Sequence, residues 1–337
     1  MAVSAAVLVQ LRTSVQTQTL QSYLLQAERE TRTDHARSLS WVVSAISSAA
    51  KGIAARLRTA GLDGTLGAVG QTNVQGEEQQ TLDVIADELL IAELESREGV
   101  VVLGSEENDE LIVIDGVPAS GSRYCVLFDP LDGSSNLAVG GAVGTIFSIY
   151  EVQPGAEHEL LPGRRQVAAG YVLYGPSTVF VLTLGCGVDM FVLEPAVGNF
   201  IRVGGKLSIP TRGQSYSVNE ANIDGFPAGY RRFLAACRER GYASRYAGAM
   251  VADVHRVLLQ GGVFLYPPTR KATQGKLRLM YEANPMAFII EQAGGVGVTG
   301  SGAILEVQPE SLHQRVPVIL GSIEEVTALQ AELAAGH

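Results

Sequence analysis

The strongest chemical signal in the chain is the segment Phe128-Asp129-Pro130-Leu131-Asp132-Gly133-Ser134-Ser135-Asn136. An apolar, strand-forming run from Tyr124 ends there and delivers Asp129 to its C-terminal end. Pro130 cannot continue a ladder and fixes a turn. Asp132 follows three residues on, so two carboxylates can converge on one point. Gly133 then permits an unusual backbone angle, and Ser134-Ser135-Asn136 can open a helix or nest whose amides suit a phosphate. Two carboxylates beside an anion-binding turn describe a divalent-metal site that holds a phosphoryl group. An ordinary Asp-rich turn with a helix cap is the competing reading of the five-residue core.

Other carboxylates have weaker contexts. Ser105-Glu106-Glu107 also follows an apolar strand, and its glutamates read either as a solvated turn or as metal ligands and a general base. Asp83 lies on an amphipathic stretch, where surface charge is the usual role. Glu282, in Tyr281-Glu282-Ala283-Asn284-Pro285, follows the cations Arg270, Lys271, Lys276 and Arg278, so metal and phosphate ligands could come from one region. His255 and His313 stand in no metal-ligand spacing and read as structural. The chain has no Walker A loop, nucleophile elbow or dinucleotide fingerprint.

The elements that must position these groups read as α/β. Residues 19–60 carry helical stripes, with Leu20, Leu24 and Leu25, then Trp41, Val42, Ile46, Ile53 and Leu57. Leu82 to Leu94 is a further helix with Leu82, Ile85, Leu89 and Leu90 inward and Asp83, Asp87 and Glu88 on other faces. Buried strands are predicted at 100–103, 111–114, 124–128, 145–151, 167–173, 178–184 and 190–193. Gly204-Gly205 is the candidate domain junction. Beyond it come helices near 230–240, 247–260 and 277–293, strands at 263–266 and 316–320, and a terminal helix from Ile323.

Composition bounds the function. The chain has 337 residues, 46% of them hydrophobic, so a folded core is expected. Lys plus Arg is 25 against 35 Asp plus Glu, a net charge of -10, which argues against non-specific nucleic-acid binding. An anionic substrate then needs a local cationic pocket or a metal. Three scattered cysteines imply a reducing compartment rather than a disulfide framework. With no convincing signal peptide and no membrane span, a cytoplasmic enzyme is expected.

In these residues the chain resembles the class I fructose-1,6-bisphosphatase family. The resemblance rests on Phe128 to Asn136, Ser105-Glu106-Glu107, Gly144-Thr145-Ile146-Phe147, Met250 to Arg256, Gly275-Lys276-Leu277-Arg278 and Tyr281 to Phe288, and it runs in order from about Thr19 to the end. It implies a layered α/β/α/β/α sugar-phosphatase fold in two halves, a regulatory-type half over 1–204 and a substrate-binding half over 205–337, assembled as a homotetramer. The implied reaction removes the 1-phosphate of fructose 1,6-bisphosphate with Mg²⁺ or Mn²⁺. By motif, Glu106, Glu107, Asp129, Asp132, Glu282 and the Leu131 carbonyl resemble the metal ligands. Asp83 and Glu107 resemble the pair that activates water. Gly133, Ser134 and Ser135, beside Asp132, resemble the cradle of the reacting phosphate. Asn219, Tyr246, Tyr266, Lys276 and a neighbouring subunit's Arg245 resemble the 6-phosphate clamp, and Met250 a sugar contact.

The chain departs from the family in four places. Glu77 stands where the family usually has an aspartate on a mobile loop (Gln71 to Thr81) and is a catalytic candidate on that resemblance, and Asn222 replaces a clamp tyrosine. The segment 151–165 contains no cysteine, which speaks against thioredoxin control. At the family's AMP site, Arg123-Tyr124 keeps the usual chemistry, but the helix start reads Thr33-Asp34-His35-Ala36-Arg37-Ser38 and Glu151 occupies an arginine position. Weak AMP inhibition is therefore expected. Sedoheptulose-1,7-bisphosphatase activity is the nearest alternative, and a catalytically silent sugar-phosphate sensor a more distant one.

Overall fold

The structure, a computed structural model, describes residues 18–31, 34–72, 78–114 and 121–335. Helices α1 (Leu20–Thr31) and α2 (Asp34–Asp63) open the chain. A small antiparallel ribbon, β1 (Ala68–Thr72) with β2 (Glu78–Gln80), leads into α3 (Thr81–Glu95). Strands β3 (Val100–Ser105), β4 (Ile112–Val113), β5 (Tyr124–Asp132), β6 (Val143–Glu151), β7 (Gln166–Tyr174), β8 (Thr178–Thr183), β9 (Val188–Glu194) and β10 (Asn199–Arg202) then form one eight-stranded sheet. Its order is β10-β9-β8-β7-β6-β5-β3-β4, antiparallel except for the β3–β5 pair.

The second sheet has five strands, in the order β12-β11-β13-β17-β15. In chain order its region runs β11 (Ser215–Ser217), α4 (Ala228–Glu239), β12 (Ala243–Ser244), α5 (Met250–Gln260), β13 (Val263–Tyr266), β14 (Leu277–Arg278), α6 (Asn284–Gln292), β15 (Val296–Val298), β16 (Arg315–Val316), β17 (Val318–Gly321) and α7 (Ile323–Ala334). Strands β14 and β16 pair apart from it as a short ribbon.

Three apolar cores stack these elements in the α/β/α/β/α order that the family resemblance implied. Val42, Ile46, Leu82 and Leu90 of α2 and α3 pack on Val126, Phe128 and Phe147. Cys125, Leu127 and Ile146 face the opposite way, onto Val251 and Val254 of α5 and Met286 and Ile290 of α6. The period of two is visible along β5: both faces are covered, so its first five residues, Tyr124 to Phe128, are apolar on both sides. The α5–α6 layer also meets Phe264 and Leu320 of the second sheet, whose far face takes Leu234 of α4 and Leu329 of α7.

Some helices bury a narrower face than their apolar periodicity predicts. Leu25 and Trp41 are 42% and 54% exposed, because their helices bury a narrower face than the full stripe. The helix expected from Leu277 begins only at Asn284. Leu277 and Arg278 pair with Val316 and Arg315 instead, and a single π-turn over Leu279–Ala283 joins that ribbon to α6.

His255 is structural, as expected, packed edge-on against the Tyr171 ring. Burial pushes the His255 imidazole down to about 4, and its Nδ1 lies 2.7 Å from the Tyr171 hydroxyl. The folded state keeps this group neutral where the unfolded chain would bind a proton. Its contribution is therefore complete above about pH 6.5 and is lost as pH falls toward 4, by at most about 3 kcal/mol. Urea unfolding at about pH 7 and about pH 5 should show a smaller loss for His255→Gln than for wild type. An equal loss would remove His255 from the account.

Candidate active site

Strands β3 and β5 run parallel, so both deliver their C-terminal residues to one edge. Ser105 stands opposite Phe128, and the Glu106 amide donates to the Phe128 carbonyl at 3.1 Å. This places Glu106 and Glu107 beside Asp129. In a regular strand, residues three apart point to opposite faces. Here the β5–β6 register slips between Asp129, opposite Ile146, and Asp132, opposite Gly144. The extra residue forms a bulge at Pro130, whose carbonyl accepts from Thr145 Oγ1 at 2.9 Å, and it lets both aspartates serve one point.

Asp132 also meets the start of α5: its Oδ2 accepts from the Val251 amide at 2.7 Å. A carboxylate there is favoured by the helix dipole. Gly133 makes this approach available. Its φ is +76°, and a Cβ on it would lie 2.4 Å from the Ala249 Cβ. Ser134 and Ser135 then begin a short 3₁₀ helix, whose first amides have no intrahelical acceptor.

Glu282 arrives from the far half of the chain on the π-turn. Its Oε2 accepts from the Arg278 amide at 2.6 Å, and Arg278 Nη1 is 2.9 Å from Glu106 Oε1. Carboxylate oxygens of Asp129, Asp132 and Glu282 lie within 4.8 Å of one another, all buried. Burial, then Glu106, Asp132 and Glu282, push the Asp129 carboxyl well above its ordinary range. Burial lifts Asp132 to about 7 against the Val251 and Met250 amides, with Glu106 and Asp253 adding repulsion. Glu282 is raised by burial and Glu106 and lowered by Arg278. Several buried, mutually repelling oxygen donors beside the Arg278 guanidinium fit a hard divalent cation.

Asp83 is buried, not on the outer face that periodicity assigned to it. Helix α3 turns it inward beneath the β5 turn, where its Oδ2 accepts from the Gln80 amide at 2.9 Å. Burial lifts it to about 7, against that amide and with Glu107 adding to the rise. Asp87, one turn on, is buried too. It accepts from Ser105 Oγ at 2.5 Å and from Asn108 Nδ2 at 3.3 Å, and Ser105 Oγ in turn accepts from the Glu107 amide.

One cleft of about 430 Å³ gathers most of the anticipated residues. Its walls include Asp83, Glu106, Glu107, Asp129, Leu131, Asp132, Gly133, Ser134, Ser135 and Glu282, together with Tyr246, Met250, Tyr266 and Lys276. Asn219 and Arg245 do not line it. Asn219 caps a 3₁₀ turn by accepting from the Ala221 amide, and it also hydrogen-bonds Tyr246. Arg245 is exposed, with Nη1 donating to the Ser244 carbonyl at 3.2 Å. Glu77 lies outside the described residues.

Sequence reasoning missed Asp87 and Asp253. The Asp253 carboxylate accepts from the Ala247 and Gly248 amides and shapes the cleft floor. Each left a signal: Asp83 and Asp87 are one turn apart on a largely apolar helix, and Asp253 lies in the first turn of another.

Comparison with known proteins agrees with this geometry. The family described as "Fructose-1-6-bisphosphatase, N-terminal domain" matches residues 18–204, and its C-terminal counterpart matches residues 209–334. The chain is 47% identical over 312 residues to a class 1 fructose-1,6-bisphosphatase of Persephonella marina, spanning 92% of this chain and 96% of that protein. It is 51% identical over 306 residues to one from Synechococcus sp. strain JA-3-3Ab, spanning 87% and 91%. The crystal structure of Leishmania major fructose-1,6-bisphosphatase in holo form superposes with a TM-score of 0.88 at 38% identity, covering 94% of this chain and 98% of that one. The apo form of the same enzyme gives 0.83 at 36% identity, covering 94% and 99%. With both family halves matched in order over a cleft built from the shared motifs, the chain belongs to the class 1 fructose-1,6-bisphosphatase family.

Proposed function

We propose that the protein hydrolyses the 1-phosphate of fructose 1,6-bisphosphate to give fructose 6-phosphate and phosphate, using Mg²⁺ or Mn²⁺. The carrying observation is the buried carboxylate cluster facing the Gly133-Ser134-Ser135 turn in one cleft, in a chain of this family. Asp129, Asp132, Glu282, Glu106, Glu107 and the Leu131 carbonyl would hold the cation. A divalent ion there supplies charge stabilisation to the phosphoryl oxygens and acidifies water.

The remaining work falls to the chain's own groups. Asp83, whose proton affinity sits near neutrality, takes the proton of the attacking water together with Glu107. Glu77 is assigned as a third catalytic carboxylate on resemblance. The Ser134 and Ser135 amides orient the reacting phosphate as the bond to the sugar oxygen breaks, and that oxygen takes a proton from water to leave as the sugar hydroxyl. At the other end Lys276, Tyr246 and Tyr266 take the 6-phosphate, with Asn219, assigned to the clamp on resemblance, hydrogen-bonded to Tyr246 from outside the cleft, and Met250 borders the sugar. Residues 1–204 form the half that carries most metal ligands and 205–337 the substrate half. The working assembly is a cytoplasmic homotetramer. Among the described residues, no helix is long and apolar enough to cross a membrane.

Arg245 stands outside its own cleft and exposed, which suits a role in a neighbouring subunit's site. Arg245→Ala should mainly raise KM for the bisphosphate, because the distant phosphate is bound alike in ground and transition states. Mixing Arg245→Ala with Asp132→Asn subunits should restore activity in hybrids that carry one intact site. No recovery in verified hybrids would contradict sharing.

AMP should inhibit weakly. Arg123 pairs with Glu157 at 2.7 Å, and Glu151 adds a carboxylate where a dianionic nucleotide would need a cation. The helix-start side chains at 33–37 lie outside the described residues. Repulsion of about 1–3 kcal/mol weakens binding roughly 5- to 150-fold. Half-inhibition at low-micromolar AMP would refute this reading.

The substrate assignment is tested by initial rates of phosphate release from a panel of sugar bisphosphates. Fructose 1,6-bisphosphate should give the highest kcat/KM. A large preference for the seven-carbon bisphosphate would overturn the assignment in favour of sedoheptulose-1,7-bisphosphatase, and no turnover of any would leave a sensor.

A further inference from the structure

Glu106 and Glu107 follow the end of β3, whereas Glu282 sits on the π-turn before α6. A shared cation needs donors from these distant segments placed within about 0.5 Å of a working geometry. Inside the cleft, Arg278 spans the gap, 2.9 Å from Glu106 and 4.0 Å from Glu282. A second bridge runs behind it.

The Tyr281 hydroxyl lies 2.7 Å from His313 Nδ1, and His313 Nε2 lies 2.9 Å from the Asn108 carbonyl. A carbonyl only accepts, so Nε2 carries the proton and Nδ1 accepts from Tyr281. The imidazole therefore joins the residue before Glu282 to the residue after Glu107. Both ends are anchored. Tyr281 is fully buried, and Asn108 is held by Asp87. The segment that carries His313 is fixed as well: Leu312 sits in the core between the sheets, the Gln314 carbonyl accepts from the Leu279 amide at 2.7 Å, and β16 pairs with β14. His313 itself does not line the cleft.

We propose that His313 is a positioning residue, a strut between the Glu282 turn and the Glu106-Glu107 loop that sets how the metal carboxylates converge. This assignment rests on the metal-site reading given under Proposed function. The strut needs one acceptor and one donor about 2 Å apart, which a glutamine amide also offers. Leucine offers neither.

Binding of Mn²⁺ alone to the full-length protein, followed by the EPR signal of free Mn²⁺, reads the strut without turnover. His313→Leu should weaken Mn²⁺ binding about 10-fold, as loss of a group that orients metal ligands does. His313→Gln should stay within about threefold of wild type. At saturating Mn²⁺, KM for the bisphosphate should move by less than about threefold in either variant. Tyr281→Phe breaks the same link from its other end and should weaken Mn²⁺ binding as His313→Leu does, with the double variant no worse than either. Tyr281→Phe also stands in if His313→Leu does not fold. A purely structural role would lower the unfolding midpoint in EDTA and leave Mn²⁺ affinity unmoved. The strut is overturned if His313→Leu and Tyr281→Phe bind within about twofold of wild type, or if His313→Gln is as weak as His313→Leu. A wild-type protein that bound no Mn²⁺ would overturn the metal reading itself, and the strut with it.

Discussion

Asp132→Asn should lower kcat by about 10²-fold or more while the protein stays folded. Two roles meet at this side chain, and the substitution separates them. As a helix cap, Asp132 accepts from the Val251 amide at 2.7 Å, and an asparagine oxygen can accept the same bond. As a member of the carboxylate cluster it supplies charge, and a neutral amide is a weak ligand for a hard cation. Stability in EDTA should be equal to or above that of wild type. The carboxyl is raised to about 7, so the folded state holds its proton more tightly than the unfolded chain does. The resulting cost to folding grows as pH rises from about 4 and is complete above about 7, and asparagine removes it. Steady-state kinetics and thermal unfolding in EDTA measure both effects. More than about a tenth of wild-type kcat in a folded variant would show that Asp132 is not a ligand.

Gly133→Ala should be nearly as damaging by a different route. The position has φ +76°, and an added Cβ would lie 2.4 Å from the Ala249 Cβ and 2.9 Å from its Cα. The neighbour is the residue before α5, so relief requires shifting either the 133–135 turn or the start of that helix. Either movement strains the Asp132–Val251 bond and displaces the Ser134 and Ser135 amides. Left-handed strain and overpacking together should cost about 2–4 kcal/mol in stability. Misplacing the phosphate cradle by even about 1 Å should cost about 10²-fold in kcat/KM. Chemical denaturation and kinetics on the same preparation test both. A variant with wild-type kcat/KM would contradict the close approach.

The sequence made the β5 turn legible because its information is local: an apolar run, a proline that ends the ladder, a carboxylate on either side and a glycine. Strands of the large sheet were legible for the same reason, since each is a continuous buried run. Asp83 and Asp87 were not placed correctly by periodicity. Helix α3 packs against α2 and the sheet, yet it also points a polar edge into the site, and a count of apolar positions cannot separate that edge from solvent. The resemblance, not the spacing, singled out Asp83. The start of α6 was hidden because Leu277 and Arg278 are recruited by a partner strand at Arg315–Val316, far away in sequence. Strands β11, β12 and β15 span three residues or fewer, too short for any period to register. The Tyr281–His313–Asn108 bridge joins three separate segments, and no local pattern announces such a contact.

The protein should remove one particular phosphate, and only when a divalent metal is bound. Following fructose 1,6-bisphosphate by ³¹P NMR with the purified protein tests it directly, in Mg²⁺ and in EDTA. With Mg²⁺ the 1-phosphate resonance should disappear as inorganic phosphate and fructose 6-phosphate grow in equal amounts. In EDTA both phosphate resonances should persist, with turnover restored by added Mg²⁺. Loss of the 6-phosphate instead, or turnover undiminished by EDTA, would contradict the account.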